Sequence, residues 1–283
     1  MKTKMSLFLK FSLLISVVVS LLCAFFLSNN QIITTVIFFG QAHFLLAYLY
    51  AGKYGRFNKI FLIKFLILVA TLGSFCFFVT KHQEFFPYVI FLTSVLFTFH
   101  YFNDEFKIRG LEKVDNKIFA VTSVVFSFIS VFLIKIFSSP FGVSVLFLFF
   151  SIMFALFFIY QDKEYTFKKN KTFFIFFAMN IFFPLFFIFK KNVSAAQILG
   201  FIILFHYMRW YLYYLDRFSG PDLSSYKDAV IWCNLFVLLT FIIYTMVPGA
   251  SILYVFYSPL FFYAWSVVHI VLFIRKEDYL LKY

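Results

Sequence analysis

Apolar residues fill the chain in continuous runs of about twenty residues, and short polar or turn-forming joints separate one run from the next. A helix of that length crosses the roughly 30 Å hydrocarbon core of a bilayer. Only a helix satisfies its backbone polar groups within the run, and the runs lack the alternation of lipid-facing strands. The pattern therefore predicts an all-α, polytopic integral membrane helix bundle, forming a single integral membrane domain over residues 1–283.

The runs predict about ten transmembrane helices. The first run follows Lys2 and Lys4, and it is too long for the core of a usual signal peptide and lacks a clean small-residue cleavage site, so we interpret it as an uncleaved span. Gly220 and Pro221 lie in a joint that we predict to be a loop. The predicted spans cover residues 8–27, 31–50, 60–80, 86–103, 118–137, 141–160, 172–189, 194–215, 228–247 and 253–274.

Basic residues in the joints predict the orientation. With the N-terminus in the cytoplasm, 19 Lys and Arg residues lie in cytoplasmic segments and 4 lie outside. This bias is the positive-inside rule of multi-pass proteins, and it favours a location in the cell (plasma) membrane. The net charge of +13 is therefore explained by membrane topology, and we expect the lipid bilayer and no nucleic acid as a partner.

Composition excludes several other classes of protein. Hydrophobic residues make up 63% of the chain and charged residues 13%, whereas soluble domains have about half and about a quarter. The three cysteines lie in apolar runs without a CxxC spacing, which excludes a disulfide framework or zinc ribbon. No GxSxG, P-loop, GxGxxG or HExxH motif occurs. Nothing in the sequence indicates an oligomeric state.

Four of the five histidines lie within predicted spans, and all four spans run from outside to inside. His43, His100, His206 and His269 lie toward the inner ends of spans 2, 4, 8 and 10, at depths that agree within about 8 Å. Ionisable residues inside a membrane are costly and usually mark function. The alignment predicts a shared metal site, and imidazole ligands suit iron, zinc or copper. For any single histidine, the alternative is an interhelical hydrogen bond.

Polar and aromatic neighbours are predicted to support this site. Asn103 and Asp104 follow His100 by three and four residues, and a carboxylate at that spacing can orient an imidazole. Asp104 or Glu105 could be that partner, and the alternative is that both are solvated residues of the loop, with the charge cluster ending span 4 at the cytoplasmic surface. The predicted supporting residues are Tyr48, Asn103, Asp104, Arg209, Trp210, Tyr213 and Asp216.

Span 8 carries most of these supporting residues on one face. Arg209, Tyr213 and Asp216 follow His206 at spacings of three, four and three residues, which places all four side chains together on a helix. An arginine within a span needs an anion or carbonyl groups as partners. We expect Asp216, or Asp104 or Glu105 from another span, to be that partner.

Four short segments resemble the Brp/Blh family of membrane β-carotene dioxygenases. FTFHYFNDEF, residues 97–106, resembles that family's S-x-x-H-F-G-E/x-D motif, and GQAHFLLAY, residues 40–48, resembles its G-x-P-H-G-A-x-D-H. FHYMRWY, residues 205–211, resembles W-H-S-x-R-H, and WSVVHI, residues 265–270, resembles a late P-H segment. The order of the segments along the chain also agrees.

The resemblance implies a non-haem iron, Fe²⁺, held by histidines, which with dioxygen splits a carotenoid to give retinal. The chain departs from the motifs at two histidines, which are Tyr48 and Trp210 here, and at Ala47 and Asn103. His269 is the expected replacement for the missing ligand of the span-8 motif. The expected function is a membrane-embedded oxygenase acting on a lipid-soluble small molecule.

Two functions from other classes stay open at this point. Histidine pairs on facing helices also ligate haem b in membrane electron carriers, although four helices at one level suit a single ion better. The chain could equally be a non-enzymatic transporter or lipid-handling protein whose histidines serve as hydrogen-bonding groups or a proton relay. Transporters often show internal repeats and broken spans. No repeat is visible here, while Pro184 and Pro259 could kink their helices.

Overall fold

The structure is a computed structural model, and it describes residues 7–53, 57–111, 114, 116–162, 170–189, 192–218, 220–247 and 251–273. All regular secondary structure within these residues is helical, and turns and short joints connect the helices. The helices are α1 (Leu7–Phe26), α2 (Asn29–Lys53), α3 (Lys59–Lys81), a 3₁₀ turn (Gln83–Phe85), α4 (Phe86–Ile108), α5 (Lys117–Phe137), α6 (Phe141–Tyr160), α7 (Lys171–Phe189), α8 (Ala195–Arg217), α9 (Gly220–Met246), α10 (Ser251–Tyr257) and α11 (Pro259–Phe273).

Eight of the described helices, α2 to α9, are long and apolar enough to cross a membrane. Two shorter apolar stretches, Phe11–Phe26 in α1 and Pro259–Phe273 in α11, stand at the ends of the described chain. The prediction of an all-α, multi-pass membrane protein is confirmed. The count of about ten spans, the cytoplasmic N-terminus and the plasma membrane stay predictions.

The predicted span over 253–274 is divided in the structure into α10 and α11. The division falls at Ser258, because Pro259 has no backbone N–H and its ring crowds the preceding turn. The Ser258 amide still donates to the Tyr254 carbonyl at 3.0 Å, and the Phe262 amide donates to the Ser258 carbonyl at 3.0 Å. The helical path is therefore broken at one residue only.

The joint around Gly220 and Pro221 differs from the predicted loop. The helix α9 begins at Gly220, which has a φ of 54°, and continues through Pro221. Proline is well accommodated in the first turn of a helix, because its missing N–H would have no intrahelical partner there. The prediction of a loop over this segment was wrong.

The described contacts divide the chain into two compact units. The first unit comprises Met1–Val89 and Leu199–Phe273, and the second comprises Ile90–Ile198 and Ile274–Tyr283. The single domain over 1–283 stays a prediction.

In the first unit, α2, α8 and α11 run in the same direction. The site of Gly200 on α8 lies against Ile32 of α2, while Gly40, eight residues further along α2, lies against Tyr207 of α8 and Phe262 of α11. The helix α3 runs the other way, since Cys76 contacts Leu260 near the start of α11 and Phe61 contacts Phe273 at its end. These directions agree with the alternation that the sequence predicts for spans 2, 3, 8 and 10.

In the second unit, α5 packs against both α6 and α7 through small hydroxyl residues. Ser123 Oγ donates to the Ser151 carbonyl of α6 at 2.8 Å, and Ser127 Oγ donates to the Ile181 carbonyl of α7 at 2.8 Å. Small polar residues let membrane helices approach closely and hydrogen-bond to one another. The helix α4 packs on α7 through aromatic rings, with Phe102 stacked on Phe176 at 5.7 Å.

Candidate metal centre

Glycine allows the helices of the first unit to approach closely beside His43. Gly40 lies one turn before His43 on α2, and a β-carbon there would stand 2.5 Å from the ring of Phe262 and 2.6 Å from the hydroxyl of Tyr207. Only a residue without a side chain permits this spacing. The close approach brings the inward face of α2 against both α8 and α11, the two helices that carry His206 and His269.

Three of the four predicted ligand histidines lie together in the first unit. The ring of His43 lies 5.5 Å from that of His206 and 5.0 Å from that of His269, measured between centroids. All three residues are buried, with exposed fractions of 1%, 2% and 4%. The structure thus brings together three imidazoles from three parallel helices, with His43 between the other two.

The spacing of these rings bears on whether they fit one metal ion. Imidazole nitrogens bind such ions at about 2.0–2.1 Å, so two ligand rings on one ion have centroids roughly 4.5–5.2 Å apart. The His43–His269 pair is within that range, and the His43–His206 pair is slightly longer. Among the described residues of the first unit, no three His, Cys, Asp or Glu side chains place their ligand atoms all within 4.8 Å of one another. The donors suit a metal, and side-chain rotation is needed to complete a shared site.

Aromatic rings enclose the three histidines. Trp210 stands edge-on to His43 with centroids 4.6 Å apart, and Tyr207 lies 4.8 Å from it. Phe44 lies 4.8 Å from His269. This packing encloses the three imidazoles in aromatic side chains and excludes water from the cluster.

Tyr48 approaches His269 from the following turn of α2, with ring centroids 6.3 Å apart. Its hydroxyl oxygen is buried and has no hydrogen-bond partner among the residues that the structure describes. A buried hydroxyl in that state costs free energy unless a ligand supplies the missing partner. Among the predicted supporting residues, Tyr48 therefore has a hydroxyl that can hydrogen-bond to a ligand next to the histidines.

Arg209 is buried on α8, with an exposed fraction of 1%. Its Nη1 donates a 2.6 Å hydrogen bond to Ser12 Oγ of α1, and Ser16 Oγ donates to the Ser12 carbonyl. Ser12 was not among the predicted site residues, although Ser12, Ser16 and Ser20 recur every four residues along the first apolar run, are all buried, and could have indicated a polar helix face. Arg209 thus ties the histidine-bearing helix α8 to α1.

The two remaining supporting residues of α8 lie further along the helix. Tyr213 and Asp216 are half-buried, and the ring of Tyr213 lies 5.1 Å from that of Tyr214. Their predicted support of the site, and the predicted pairing of Arg209 with a carboxylate, stay predictions.

A cavity of about 720 Å³ adjoins the histidine cluster within the first unit. Phe44 and Tyr48, which contact His269, form part of its wall, and Trp265 forms another part. The remaining described lining residues are mostly apolar: Gln41, Leu45, Phe57, Asn58, Lys59, Phe61, Leu62, Phe65, Phe236, Val237, Thr240, Leu253, Phe256 and Tyr257. Small-molecule sites have this size and this apolar character, with a few polar groups.

The fourth predicted ligand, His100, belongs to α4 in the second unit. Its Nε2 lies 3.5 Å from Asp104 Oδ2 one turn later, and Asp104 Oδ1 accepts a 3.0 Å hydrogen bond from Lys107 Nζ. His100, Asn103 and Asp104 are all buried, with exposed fractions of 6%, 3% and 8%. Asp104 is therefore buried within α4 beside His100 and is not a solvated loop residue, while its orientation of the imidazole ring stays a prediction.

The sequence predicted that the charge cluster after His100 ends the helix, but the helix continues through it. The helix α4 continues to Ile108, five residues beyond the predicted end at 103. Glu105 is 1% exposed, and its carboxylate accepts a 3.1 Å hydrogen bond from Arg109 Nε. Arg109 also donates to Thr172 Oγ1 at 3.1 Å and lies 4.9 Å from the ring of Phe176. The interpretation of Glu105 as a solvated loop residue was wrong, because the i,i+4 ion pair makes its burial tolerable.

Comparison with known proteins gives no relative for this chain: no protein-family model, no curated protein and no solved structure matches it.

Proposed function

We propose that the chain is a membrane-embedded non-haem iron oxygenase that acts on a lipid-soluble substrate, with oxidative cleavage of a carotenoid or related polyene chain as the reaction class. One observation carries the proposal: His43, His206 and His269 lie together on three helices, next to Phe44 and Tyr48 in the wall of an apolar cavity large enough for a lipid-soluble molecule. His100, supported by Asp104, is the proposed fourth ligand on the sequence argument alone.

Each residue of the site has a definite task in this proposal. The imidazoles of His43, His206 and His269 hold the ion, and iron bound there would supply the activation of dioxygen. Phe44 and Trp265 line the apolar path of the substrate and exclude water. The hydroxyl of Tyr48 donates a hydrogen bond to oxygen at the reacting position, between His269 and the cavity.

The reaction balances without a further reductant. Cleavage of one C=C bond by one O₂ places one oxygen atom in each of the two carbonyl products. The four electrons that reduce O₂ come from the double bond. The products stay apolar chains with a terminal carbonyl, which is the kind of acceptor that a buried tyrosine hydroxyl can serve.

The positions at which this chain departs from the Brp/Blh motifs support the same interpretation. The family has histidine at the positions of Tyr48 and Trp210. The rings of these two residues face His269 and His43, at 6.3 Å and 4.6 Å. Positions 48 and 210 are therefore next to the histidines in this chain, as they would be if the motifs build one site.

The ring spacing favours a single ion over haem b. Two axial histidines on opposite sides of a haem have ring centroids roughly 6.4 Å apart, with the flat macrocycle between them. His43 lies closer than that to both His206 and His269, and the space between the rings cannot hold a macrocycle. A non-enzymatic lipid-handling protein would use the cavity without the metal.

Metal content is the decisive measurement. The protein is purified in detergent from iron-supplemented cells and analysed for iron, zinc and copper, beside variants in which His43, His206, His269 or His100 is changed to Gln. Glutamine keeps a polar side chain of similar length, so that loss of metal is separated from a hole in the packing. The control is His82→Gln, because His82 is half-exposed and pairs with Glu84 outside the cluster.

We expect about one iron per chain in the wild type and in His82→Gln, and a loss of at least about tenfold in metal affinity in each of the other variants. An oxygen-consumption assay with polyene lipids follows. Folded protein without metal, or metal indifferent to His43, His206 and His269, would overturn the oxygenase and favour a transporter or lipid-handling protein. A Soret band would favour a haem b electron carrier.

A further inference from the structure

The cavity of the first unit is long and narrow. Tyr48 of α2 contacts Phe65 of the antiparallel α3, with ring centroids 6.0 Å apart. From that level, Lys59 lies six residues away toward one end and Gln41 seven residues away toward the other. At 1.5 Å per residue the lining spans about 20 Å. A volume of about 720 Å³ over that length corresponds to a width of roughly 7 Å, which suits one extended hydrocarbon chain.

The polar groups at the far end of the cavity are satisfied by the protein itself. The hydroxyls of Thr240 and Tyr257 are hydrogen-bonded to each other. Gln41 Nε2 donates to the Phe256 carbonyl at 2.6 Å. This end therefore offers an apolar enclosure to the tail of a ligand, with its polar atoms already paired.

The near end of the cavity is electropositive. Lys59 is the one charged residue among the described residues that line it. Asn58 caps α3 by accepting a 2.8 Å hydrogen bond from the Phe61 amide. The helix α3 begins here, so that the positive end of its dipole adds to the charge of Lys59. An anionic headgroup at this end would be attracted by both.

From this geometry we infer that the cavity binds a single-chain amphiphile with a carboxylate headgroup, which lies at Lys59 while its chain extends past Tyr48 toward Thr240. A volume of about 720 Å³ spread over about 20 Å suits one chain better than the two chains of a phospholipid. A neutral hydrocarbon would gain nothing from Lys59. The ligand therefore belongs to the long-chain carboxylic acids, and among these only polyene acids, such as acidic fragments of isoprenoid polyenes, have the double bond that the proposed reaction cleaves.

This ligand would present the middle of its chain to the histidines. Phe44 and Tyr48 contact His269 and line the cavity between its two ends. The identification of the ligand as a substrate rests on the proposed function, whereas the binding itself does not need a metal. The carboxylate would fix the register of the chain, so that one position along it lies beside His269.

The test is ligand binding to chelator-treated protein in nanodiscs of zwitterionic lipid. The probe is a fluorescent conjugated-tetraene fatty acid, which is displaced by hexadecanoic acid or by its methyl ester at pH 8. We expect the acid to bind about tenfold more tightly than the ester, as a charge-assisted hydrogen bond predicts. Lys59→Gln should reduce this ratio to about twofold or less.

Two further variants separate the cavity from the bilayer and from surface charge. Lys64→Gln, on the same helix but outside the lining, should keep the preference for the acid. Leu253→Trp, which fills the far half of the cavity, should weaken hexadecanoic acid much more than octanoic acid.

Equal binding of acid and ester, equal effects of Lys59→Gln and Lys64→Gln, or indifference to Leu253→Trp would each overturn the inference. Binding that survives in a protein shown to hold no metal would leave the inference standing and the oxygenase fallen. Metal binding without a preference for the carboxylate would leave the proposed oxygenase standing and overturn this inference.

Discussion

Gly40 provides a sharp test of how packing positions the candidate metal centre. Replacing it by alanine places a β-carbon 2.5 Å from Phe262 and 2.6 Å from Tyr207, whereas ordinary contacts are 3.4–4 Å. The neighbours must therefore withdraw by about 1 Å, and overpacking of this kind costs about 1–3 kcal/mol. Alanine also gains up to about 1 kcal/mol of helix propensity over glycine.

Gly73→Ala is the matched control for Gly40→Ala. Gly73 lies within α3 of the same unit, and a β-carbon there meets nothing within 4 Å. Both variants gain the same helix propensity, so the difference between them isolates the clash. We expect Gly40→Ala to be about 1–3 kcal/mol less stable than Gly73→Ala.

The same substitution should also weaken metal binding. A metal site tolerates ligand displacements of only about 0.2 Å, and a shift of about 1 Å between α2 and its neighbours moves His43 relative to His206 and His269 by more than that. Stability is measured by SDS titration in mixed micelles with circular dichroism, and iron affinity by titration of the apoprotein. Equal stability and equal iron affinity of the two alanine variants would refute the reasoning.

Two more predictions concern buried charges and the departures from the motifs. Arg109→Met leaves the Glu105 carboxylate buried without its cation and should cost about 3–5 kcal/mol of stability, whereas adding Glu105→Gln should recover much of the loss. SDS titration of the wild type, the two single variants and the double variant measures this. Additive losses of stability would contradict the ion pair. Trp210→His adds an imidazole beside His43 and should raise iron or zinc affinity by at least about tenfold, since a complete four-ligand site binds its metal with a free energy of roughly 10–16 kcal/mol. An unchanged affinity in metal titration would contradict the placement of position 210 beside His43.

The sequence was sufficient to predict that the helices carrying His43, His206 and His269 run in the same direction as one another. The charged joints set the alternation of the spans, and the alternation placed His43, His206 and His269 on helices of the same direction at a similar depth. What it could not give is the rotation of each helix about its axis, which changes by about 100° per residue. The contacts of Trp210 and Tyr207 with His43 depend on that rotation and on the space left by Gly40.

The prediction for the end of α4 failed for a different reason. Counting charges treats Glu105 and Arg109 as separate polar residues, each of which belongs in water. In the structure they lie one turn apart, form an ion pair and are covered by the rings of α7. A pairing that depends on a third element, here Thr172 on α7, is not visible in the local pattern. The same applies to Arg209, whose partner Ser12 lies 197 residues away.

The burial of Arg209 gives a physical reason to regard the orientation of His206 as fixed by the fold. An arginine within a membrane helix costs about 2.5–3.5 kcal/mol even by lenient scales, and its hydrogen bond to Ser12 offsets that cost in only a narrow range of rotations of α8. His206 precedes Arg209 by three residues and therefore turns with it. A rotation of α8 that moved His206 away from His43 would therefore also move Arg209 relative to Ser12. We therefore expect Arg209 to hold α8, and with it His206, in one rotation through its hydrogen bond to Ser12 of α1.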